Sequence, residues 1–336
     1  MLEEANRAQN YLAWLRDGDQ ARALWAKDWA SAPPAEGLSY YAPDFALSAP
    51  APWIVGEEMP WPKPYPARLP GLSHRVEPSA ALFDRLHEDI LKRIDQHEFE
   101  KVVPIVCEEL EYLAPLQPAM FGRAFEAHPN QYSYGFALNG EGLVGITPEL
   151  LFAVEDGVLR TMALAGTGAV DGPSLLDDKK ERHEHQLVID HIASELAPWG
   201  AVETGPTIER TYGALKHLYT PLQMNLPNLG KLPSFIELVA RLHPTAALGG
   251  WPRRPAVEWL ERQDFHLGRR RFGAPFGYQD GQRMRCVVAI RCLQWQGRRA
   301  TLSAGCGVVL GSQPLREWRE LALKRRAVYR HLGLEL

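Results

Sequence analysis

The chain of 336 residues is long enough to bury one large core or two ordinary ones. Its 46% hydrophobic and 23% charged residues are typical of a globular protein, and a net charge of −4 gives it no general affinity for nucleic acid or anionic membranes. No apolar run is long enough to span a bilayer, and no secretory signal is visible. The four cysteines form no CxxC pair or disulfide framework, so we expect a cytoplasmic protein.

In chain order, residues 1–30 are predicted to form one or two helices that carry three tryptophans. Ten of the 27 prolines lie between residues 31 and 70. Proline at this density excludes long helices and central strands, whereas the aromatic residues among them argue against a disordered linker. We therefore expect residues 1–78 to form an N-terminal segment, helical and then extended, packed on a main body of residues 79–336.

The main body begins with an amphipathic helix at 79–97, in which leucines and isoleucines recur at helical spacing. Period-2 or short apolar runs then predict strands at 101–107, 132–138, 150–154, 158–164, 207–212, 215–219, 276–278, 285–295 and 299–304. Further helices are predicted at 175–197, 234–242, 255–264 and 314–331. Hairpin-like strands interleaved with helices, without a βαβα alternation, predict an α+β fold with largely antiparallel sheets.

Two pairs of glutamates with the same spacing point to a site. Glu317 and Glu320 are three apart on the last helix, with Lys324 four residues later, so all three lie on one helix face. Glu181 and Glu184 repeat the spacing on the helix at 175–197. If the helices face each other, four carboxylates converge and need a cation, and oxygen-only ligation favours Mg²⁺. The alternative is a solvated helix face with one Glu–Lys pair.

Two further side chains could take part in proton transfer. Lys101 begins an apolar strand, where burial would lower its pKa and allow it to act as a base. The sequence alone favours the alternative, a lysine in solvent at the end of a strand. Glu149 follows Thr147-Pro148 before a predicted strand, and it could be a general acid among apolar neighbours or an ordinary turn carboxylate.

Nine motifs in chain order resemble those of the chorismate-utilising enzymes, which are isochorismate synthase, salicylate synthase and the large subunits of anthranilate and aminodeoxychorismate synthase. The motifs are KVV (101–103), GITPELLF (145–152), TMALAGT (161–167), ERHEHQLVIDHI (181–192), KHLYTPL (216–222), LHPTAALGGWPR (242–253), FGAPFGY (272–278), VAIRC (288–292) and SAGCGVVLGSQPLREWRELALK (303–324). The resemblance covers about residue 80 to the C-terminus and implies one large α+β domain, with two packed antiparallel sheets surrounded by helices.

The resemblance also implies roles for individual residues. Glu184 and Glu320 match the Mg²⁺ ligands, and Glu181 and Glu317 would support them. Magnesium would bind the ring carboxylate of chorismate.

Other matched positions would hold and convert the substrate. Lys101 matches the lysine that activates water for attack at C2, and Glu149 matches the acid that protonates the departing C4 hydroxyl. The remaining matches are the site histidine His217, the arginine Arg291 that grips the pyruvyl group, and the substrate-binding positions Thr167, Ala247, Phe272, Gly305, Gly307 and Lys324.

Within the family, three positions favour isochorismate synthase, feeding menaquinone or siderophore biosynthesis. Ala247 stands where aminating and lyase-competent relatives typically have threonine, Phe272 stands where many have tyrosine, and Lys101 marks the use of water. Departures such as Pro104–Val106 after KVV leave open a salicylate synthase or a catalytically weak chorismate-binding protein. A nicotinamide-dependent oxidoreductase built on Gly305–Gly311 is a more distant alternative, because no ribose-binding acid is evident. We expect a monomer or a weak homodimer that binds chorismate, and neither nucleic acid nor membrane.

Overall fold

The computed structural model describes residues 11–62, 67–126, 128–226 and 232–334. The strands, in chain order β1 to β20, are Leu12–Asp17, Gln20–Ala30, Leu38–Tyr41, Trp53–Met59, Leu72–Val76, Lys101–Val102, Ile105–Tyr112, Tyr132–Leu138, Glu141–Thr147, Leu150–Glu155, Val158–Ala169, Glu203–Thr204, Ile208–Tyr212, Leu215–Asn225, Gly250–Trp251, Pro275–Asp280, Arg283–Val288, Cys292–Gln296, Arg299–Gly305 and Val308–Val309. The helices α1 to α6 are Ala80–Asp95, Lys179–Leu196, Phe235–Leu242, Arg253–Glu261, Phe265–Arg269 and Pro314–Leu332. The predicted α+β class is confirmed.

The prediction of helices within residues 1–30 is wrong for the residues that the structure describes. Strands β1 and β2 form a hairpin that turns at Gly18, whose φ of +54° suits glycine. Strand β1 lies between β2 and β8, and its alternate side chains enter two cores, Leu12 and Trp14 on one face and Ala13 and Leu15 on the other, so Leu12–Leu15 are buried in an unbroken run. Such a run lacks the period-2 alternation that identifies a strand. The prediction for residues 1–10 lies outside the described residues.

The N-terminal strands join the rest of the sheet instead of lying on its surface. Strand β3 pairs with β16 and with β4, and β4 pairs with β2. This connection links the β10–β11–β14–β16–β17 half of the sheet to the β1–β8–β9–β18–β19–β7 half. The two expected sheets are therefore halves of one 17-stranded sheet, and every strand pairing among the described residues is antiparallel. A core that includes Leu24, Phe136, Leu143 and Phe276 draws side chains from both halves.

The helices begin and end at recognisable caps. Ser79 accepts a hydrogen bond from the backbone N–H of Leu82 at the start of α1, within the predicted range. Asp178 caps α2 by accepting from Lys180 and Glu181, and α6 begins at Pro314 and ends at Gly333 in the left-handed conformation. Helix α2 packs on β11 and β14, and α6 packs on β19. The first turns of the two helices meet where Lys180 of α2 contacts Glu317 of α6. No helix among the described residues is long and apolar enough to cross a membrane.

Two predicted strands are broken in the structure. The strand predicted at 285–295 is divided into β17 and β18 by a link in which Arg291 has φ of +54°. The strand predicted at 101–107 is divided into β6 and β7 at Val103-Pro104. Strand β6 is the middle strand of a separate three-stranded sheet, between β15 and β20. Lys101 therefore lies on a covered strand, and the solvent-exposed position that the sequence alone favoured is wrong, because the residue is 0% exposed.

Candidate active site

A cavity opens between α2, α6 and the ends of β11, β14 and β19. Eleven of the fourteen predicted site residues line it: Glu149, Thr167, Glu184, His217, Ala247, Phe272, Arg291, Gly305, Gly307, Glu320 and Lys324. The other three, Lys101, Glu181 and Glu317, are buried directly behind the lining. Residues from widely separated parts of the sequence thus meet around a single space.

The two glutamate pairs face each other across the gap between α2 and α6. The ammonium of Lys180 lies 3.1 Å from Glu184 Oε2, 3.1 Å from Glu317 Oε1 and 3.3 Å from Glu181 Oε1. Burial alone would lower the pKa of Lys180, but the surrounding carboxylates, with Glu184 first, outweigh that effect and raise it. The acidic cluster therefore holds a cation from the chain itself.

The four glutamates differ in how many protein donors they contact. Glu181 accepts from the Thr167 backbone N–H at 3.1 Å and contacts Arg316 at 3.0 Å. Glu317 contacts only Lys180 among the described residues, and burial, reinforced by Glu320, raises its pKa to about 7. Burial also raises the pKa of Glu181. By contrast, Lys101 and Lys180 together outweigh burial and lower the pKa of Glu184 to about 2.

The donor set fits a magnesium ion, although its present arrangement is not a finished metal site. The side chains offer carboxylate oxygens only, which Mg²⁺ prefers, and Glu317 Oε2 has no hydrogen-bond partner. Among the described residues, no group of three or more His, Cys, Asp or Glu side chains is placed to hold a metal as it stands. The point between Glu184 and Glu317 is taken by the Lys180 ammonium, and Glu320 contacts Lys324 at 2.5 Å.

Lys101, on β6, lies directly behind the cavity lining. Its ammonium lies 2.9 Å from Glu184 Oε1, and both side chains are almost fully enclosed. Gly307 makes this approach possible, because a Cβ at that position would lie 2.0 Å from Glu184 Oε1 and 2.8 Å from Lys101 Cε. Position 307 therefore tolerates no side chain without displacing both groups.

Glu149 lies between β9 and β10 and is 4% exposed. Burial raises the pKa of its carboxyl to about 8, and the positive charges of Lys101 and Lys324 only partly offset that effect. The group is therefore mainly protonated at neutral pH. A buried carboxyl that holds its proton at pH 7 can act as a general acid.

His217 connects the opposite wall to a buried arginine. Its Nδ1–H donates to the Gly166 carbonyl at 2.8 Å, so its Nε2 is the acceptor for Arg291 at 3.2 Å. Burial, reinforced by Arg291 and Lys324, lowers the pKa of His217 well below its usual value. This neutral tautomer orients Arg291 and has no proton to exchange near neutral pH. Arg291 itself is buried, which lowers its pKa to about 10 and still leaves it charged at pH 7.

The remaining predicted positions complete the lining. Lys324 donates to the Gly305 carbonyl at 2.7 Å, which fixes the ammonium at the end of β19. Thr167 Oγ1 lies 3.1 Å from His217 Nδ1. Ala247 and Phe272 form part of the apolar wall. The cavity thus combines fixed cations, a protonated carboxyl and an apolar wall, an arrangement suited to a small anionic ring compound.

Comparison with known proteins identifies the family. Residues 62–333 match the family model described as chorismate binding enzyme. The chain belongs to the chorismate binding enzyme family.

Relatives within this family include the salicylate biosynthesis isochorismate synthase of Pseudomonas aeruginosa, which is 37% identical over 198 residues. That match covers 55% of this chain and 40% of the relative. The isochorismate synthase MenF of Bacillus subtilis is 32% identical over 263 residues, which cover 74% of this chain and 55% of the relative. The chain thus spans about half the length of these relatives.

The fold of the chorismate binding enzymes is confirmed by a solved structure. The structure of MenF, the menaquinone-specific isochorismate synthase from Escherichia coli, superposes with a TM-score of 0.82 at 22% identity, over 98% of this chain and 90% of that chain.

Sequence reasoning missed three cations around the site of this chorismate binding enzyme. Lys180 lies within the glutamate cluster, and Arg316 joins Asp178 at 2.9 Å to Glu181. Arg269 is fully buried behind the apolar wall and donates to the carbonyls of Leu248 and Phe272. The signal for Lys180 was present, since it is four residues before Glu184 on a helix. Nothing local indicated the burial of Arg269, which depends on long-range packing.

Proposed function

We propose that this chain is an isochorismate synthase that converts chorismate to isochorismate with bound Mg²⁺. Water adds at C2 and the C4 hydroxyl leaves as water, so substrate and product are isomers and no redox cofactor is needed. The observation that carries the proposal is the pair Lys101 and Glu149: a protonated carboxyl lines the cavity, and a buried amine lies directly behind Glu184 of the lining.

The acid of the proposed reaction is Glu149. Loss of hydroxide from C4 needs a proton, because hydroxide is a poor leaving group. With its pKa raised to about 8 by burial, Glu149 brings that proton to the cavity at neutral pH. The Glu149 carboxylate left after the transfer lies within the field of Lys101 and Lys324, whose charges stabilise it.

The base of the proposed reaction is Lys101, the residue that would take the proton from the attacking water. The contact with Glu184, which lines the cavity, fixes the position of the amine. Lys101 is 0% exposed, so its amine is shielded from bulk water.

The substrate would be held by its two carboxylates. Arg291 and Lys324 supply charge at separate points of the lining, and His217 keeps the Arg291 guanidinium in one orientation. Glu184 and Glu320 would hold Mg²⁺, with Glu181 and Glu317 behind them, and the ion would bind the ring carboxylate and neutralise its charge near the acidic cluster. The oxygen-only donor set and the unpartnered Glu317 Oε2 support this assignment.

The apolar wall supports a reaction that stops at isochorismate. Ala247 and Phe272 place no hydroxyl group beside the ring, which leaves fewer polar groups to promote a second step. We also propose a cytoplasmic location and a monomer or weak homodimer. The four cysteines are all free, which agrees with a reducing compartment.

The test is the product formed from chorismate. Purified protein with Mg²⁺ should convert chorismate to isochorismate, identified by its proton NMR spectrum, without release of pyruvate. Salicylate with stoichiometric pyruvate would instead identify a salicylate synthase. Tight binding of chorismate without turnover would identify a binding protein.

A further inference from the structure

Lys180 occupies an unusual place for a lysine. Its side chain is only 13% exposed, and its ammonium contacts carboxylates from both α2 and α6. It lies in the first turn of α2, where the helix dipole disfavours a positive charge. The position of the Lys180 ammonium is therefore explained by the carboxylates around it and not by the helix.

Three glutamates of the cluster have a cationic partner other than Lys180, and Glu317 does not. Glu184 also contacts Lys101, Glu181 also contacts Arg316, and Glu320 contacts Lys324. Glu317 is 1% exposed and, within the described ranges, pairs with Lys180 alone. Without a cation at this point, Glu317 would be a buried and uncompensated carboxylate, which is costly. The Lys180 ammonium thus compensates the negative charge of the cluster when no metal ion is bound.

A divalent ion and the Lys180 ammonium cannot use these oxygens together. Magnesium binds carboxylate oxygens at about 2.1 Å and completes its octahedron with water, so the ion would need the volume that the ammonium fills. Lysine has a flexible four-carbon stem and a strongly hydrated head group, so it can withdraw toward solvent. The partial exposure of the Lys180 side chain shows that solvent is within reach.

We propose that Lys180 is a displaceable internal counter-ion, which holds the glutamate cluster together in the metal-free protein and competes with the divalent cation for it. The proposal rests on the metal role of these glutamates in the proposed function. By occupying the glutamate cluster, Lys180 sets its affinity for the metal. Lys180 is a positioning residue, because it touches neither substrate nor reacting atoms.

The test is metal binding measured without substrate. Mn²⁺ replaces Mg²⁺ as the probe, and free Mn²⁺ is counted by its EPR signal during titration of the wild type, Lys180→Met and Lys180→Arg. Lys180→Met removes the competing charge and should tighten Mn²⁺ binding by about tenfold or more. The reason is that the metal binds only the fraction of molecules in which the ammonium has left the site. Lys180→Arg keeps the charge, and its planar guanidinium can pair bidentately with carboxylates, so it should bind Mn²⁺ more weakly than the wild type.

Thermal unfolding adds a second readout that turnover does not affect. Without metal, Lys180→Met should melt below the wild type, and added Mn²⁺ should raise its melting temperature by more than that of the wild type. The matched control is Lys216→Met, which removes a similarly buried ammonium paired with Glu209 outside the cluster. Its Mn²⁺ affinity should stay at the wild-type value.

Equal Mn²⁺ affinity in all three proteins, or weaker binding in Lys180→Met than in the wild type, would overturn the counter-ion proposal. The second result would make Lys180 a support of the metal site. If Lys180→Met does not fold, the Mn²⁺ affinities of Lys180→Arg and the wild type are compared instead. Equal or tighter Mn²⁺ binding by the arginine variant would reject the proposal. Failure of the proposed function is distinguishable, because it would appear as absent chorismate turnover in a wild type that binds Mn²⁺.

Discussion

The ammonium of Lys101 lies 2.9 Å from Glu184 Oε1, and together they form a buried ion pair between a strand of the small sheet and helix α2. This contact joins the proposed base to a proposed metal ligand. Any change at one of these residues should therefore alter the other, and mutations of the pair should not be additive.

Removing the amine of Lys101 should slow turnover by orders of magnitude while leaving the fold intact. Lys101→Met keeps the length of the side chain, and Glu184 retains Lys180 as a partner, so the variant should remain folded. Chorismate consumption should fall by about 10²–10⁴-fold, the usual contribution of a positioned base. Steady-state kinetics with circular dichroism would check this. Lys216→Met, on strand β14 of the large sheet and outside the lining, should keep near wild-type turnover. Equal losses in both variants would argue against a base at position 101.

The raised pKa of Glu149 predicts a limit to activity at alkaline pH. Since burial raises the pKa of this group to about 8, kcat/KM should fall about tenfold per pH unit above that pH. Glu149→Gln cannot donate a proton, so it should lose most activity at every pH. A pH–rate profile with a flat alkaline limb would contradict the role of Glu149 as the acid.

The same pKa shift also predicts how stability depends on pH. The folded state holds the proton of Glu149 at pH values where the unfolded carboxyl, with a pKa near 4.5, has lost it. The stability linked to this group is therefore fully present below about pH 4.5 and is lost as pH rises through about 8. The melting temperature of Glu149→Gln minus that of the wild type should therefore increase as pH rises from about 4.5 to about 8. A difference that is independent of pH would show that the carboxyl is not buried as a neutral group.

Much of this arrangement follows from sequence patterns. The parts that cannot be predicted in this way are set by long-range packing. The helix after Ser79 and the two glutamate pairs are local features, since a cap and a three-residue spacing are read within one segment. The burial of Lys101 is set by strands that pair with it from residues 251 and 309, which no local window contains.

The errors of prediction have the same origin. The sequence favours a helix where strand β1 lies, because cores on both faces of β1 bury a continuous run, although Asp17-Gly18 is a hairpin signal in the sequence. The break between β17 and β18 has no glycine or proline to announce it, since Arg291 takes the left-handed conformation itself. That uncommon backbone conformation belongs to a residue that lines the cavity.

His217 should affect substrate binding more than the chemical step. Its neutral tautomer accepts from Arg291 and donates to Gly166, so it orients the guanidinium that would grip a substrate carboxylate. His217→Asn should raise KM by about tenfold with a smaller effect on kcat, as expected for lost binding shared by ground state and transition state. The kinetic constants across pH would check this. A large fall in kcat with KM unchanged would instead support direct proton transfer by His217.

Glu320 and Glu317 should differ in their effect on metal dependence. Glu320 lines the cavity, whereas Glu317 is buried behind the lining and contacts Lys180. Glu320→Gln should therefore weaken Mg²⁺-dependent activity by more than Glu317→Gln, seen as a larger increase in the Mg²⁺ concentration for half-maximal rate. If both variants show wild-type activity and a wild-type Mg²⁺ titration, the ligand assignment is wrong.

The central claim is that a solvent water attacks C2 while the C4 hydroxyl departs, and isotope labelling tests it most directly. The reaction is run in ¹⁸O-labelled water for a short conversion, and isochorismate is analysed by mass spectrometry. We expect one ¹⁸O atom in the product, located on the C2 hydroxyl, and far less product from Lys101→Met than from the wild type. Isochorismate without label would mean that the hydroxyl migrates within the substrate, and it would contradict the proposed roles of Lys101 as base and Glu149 as acid.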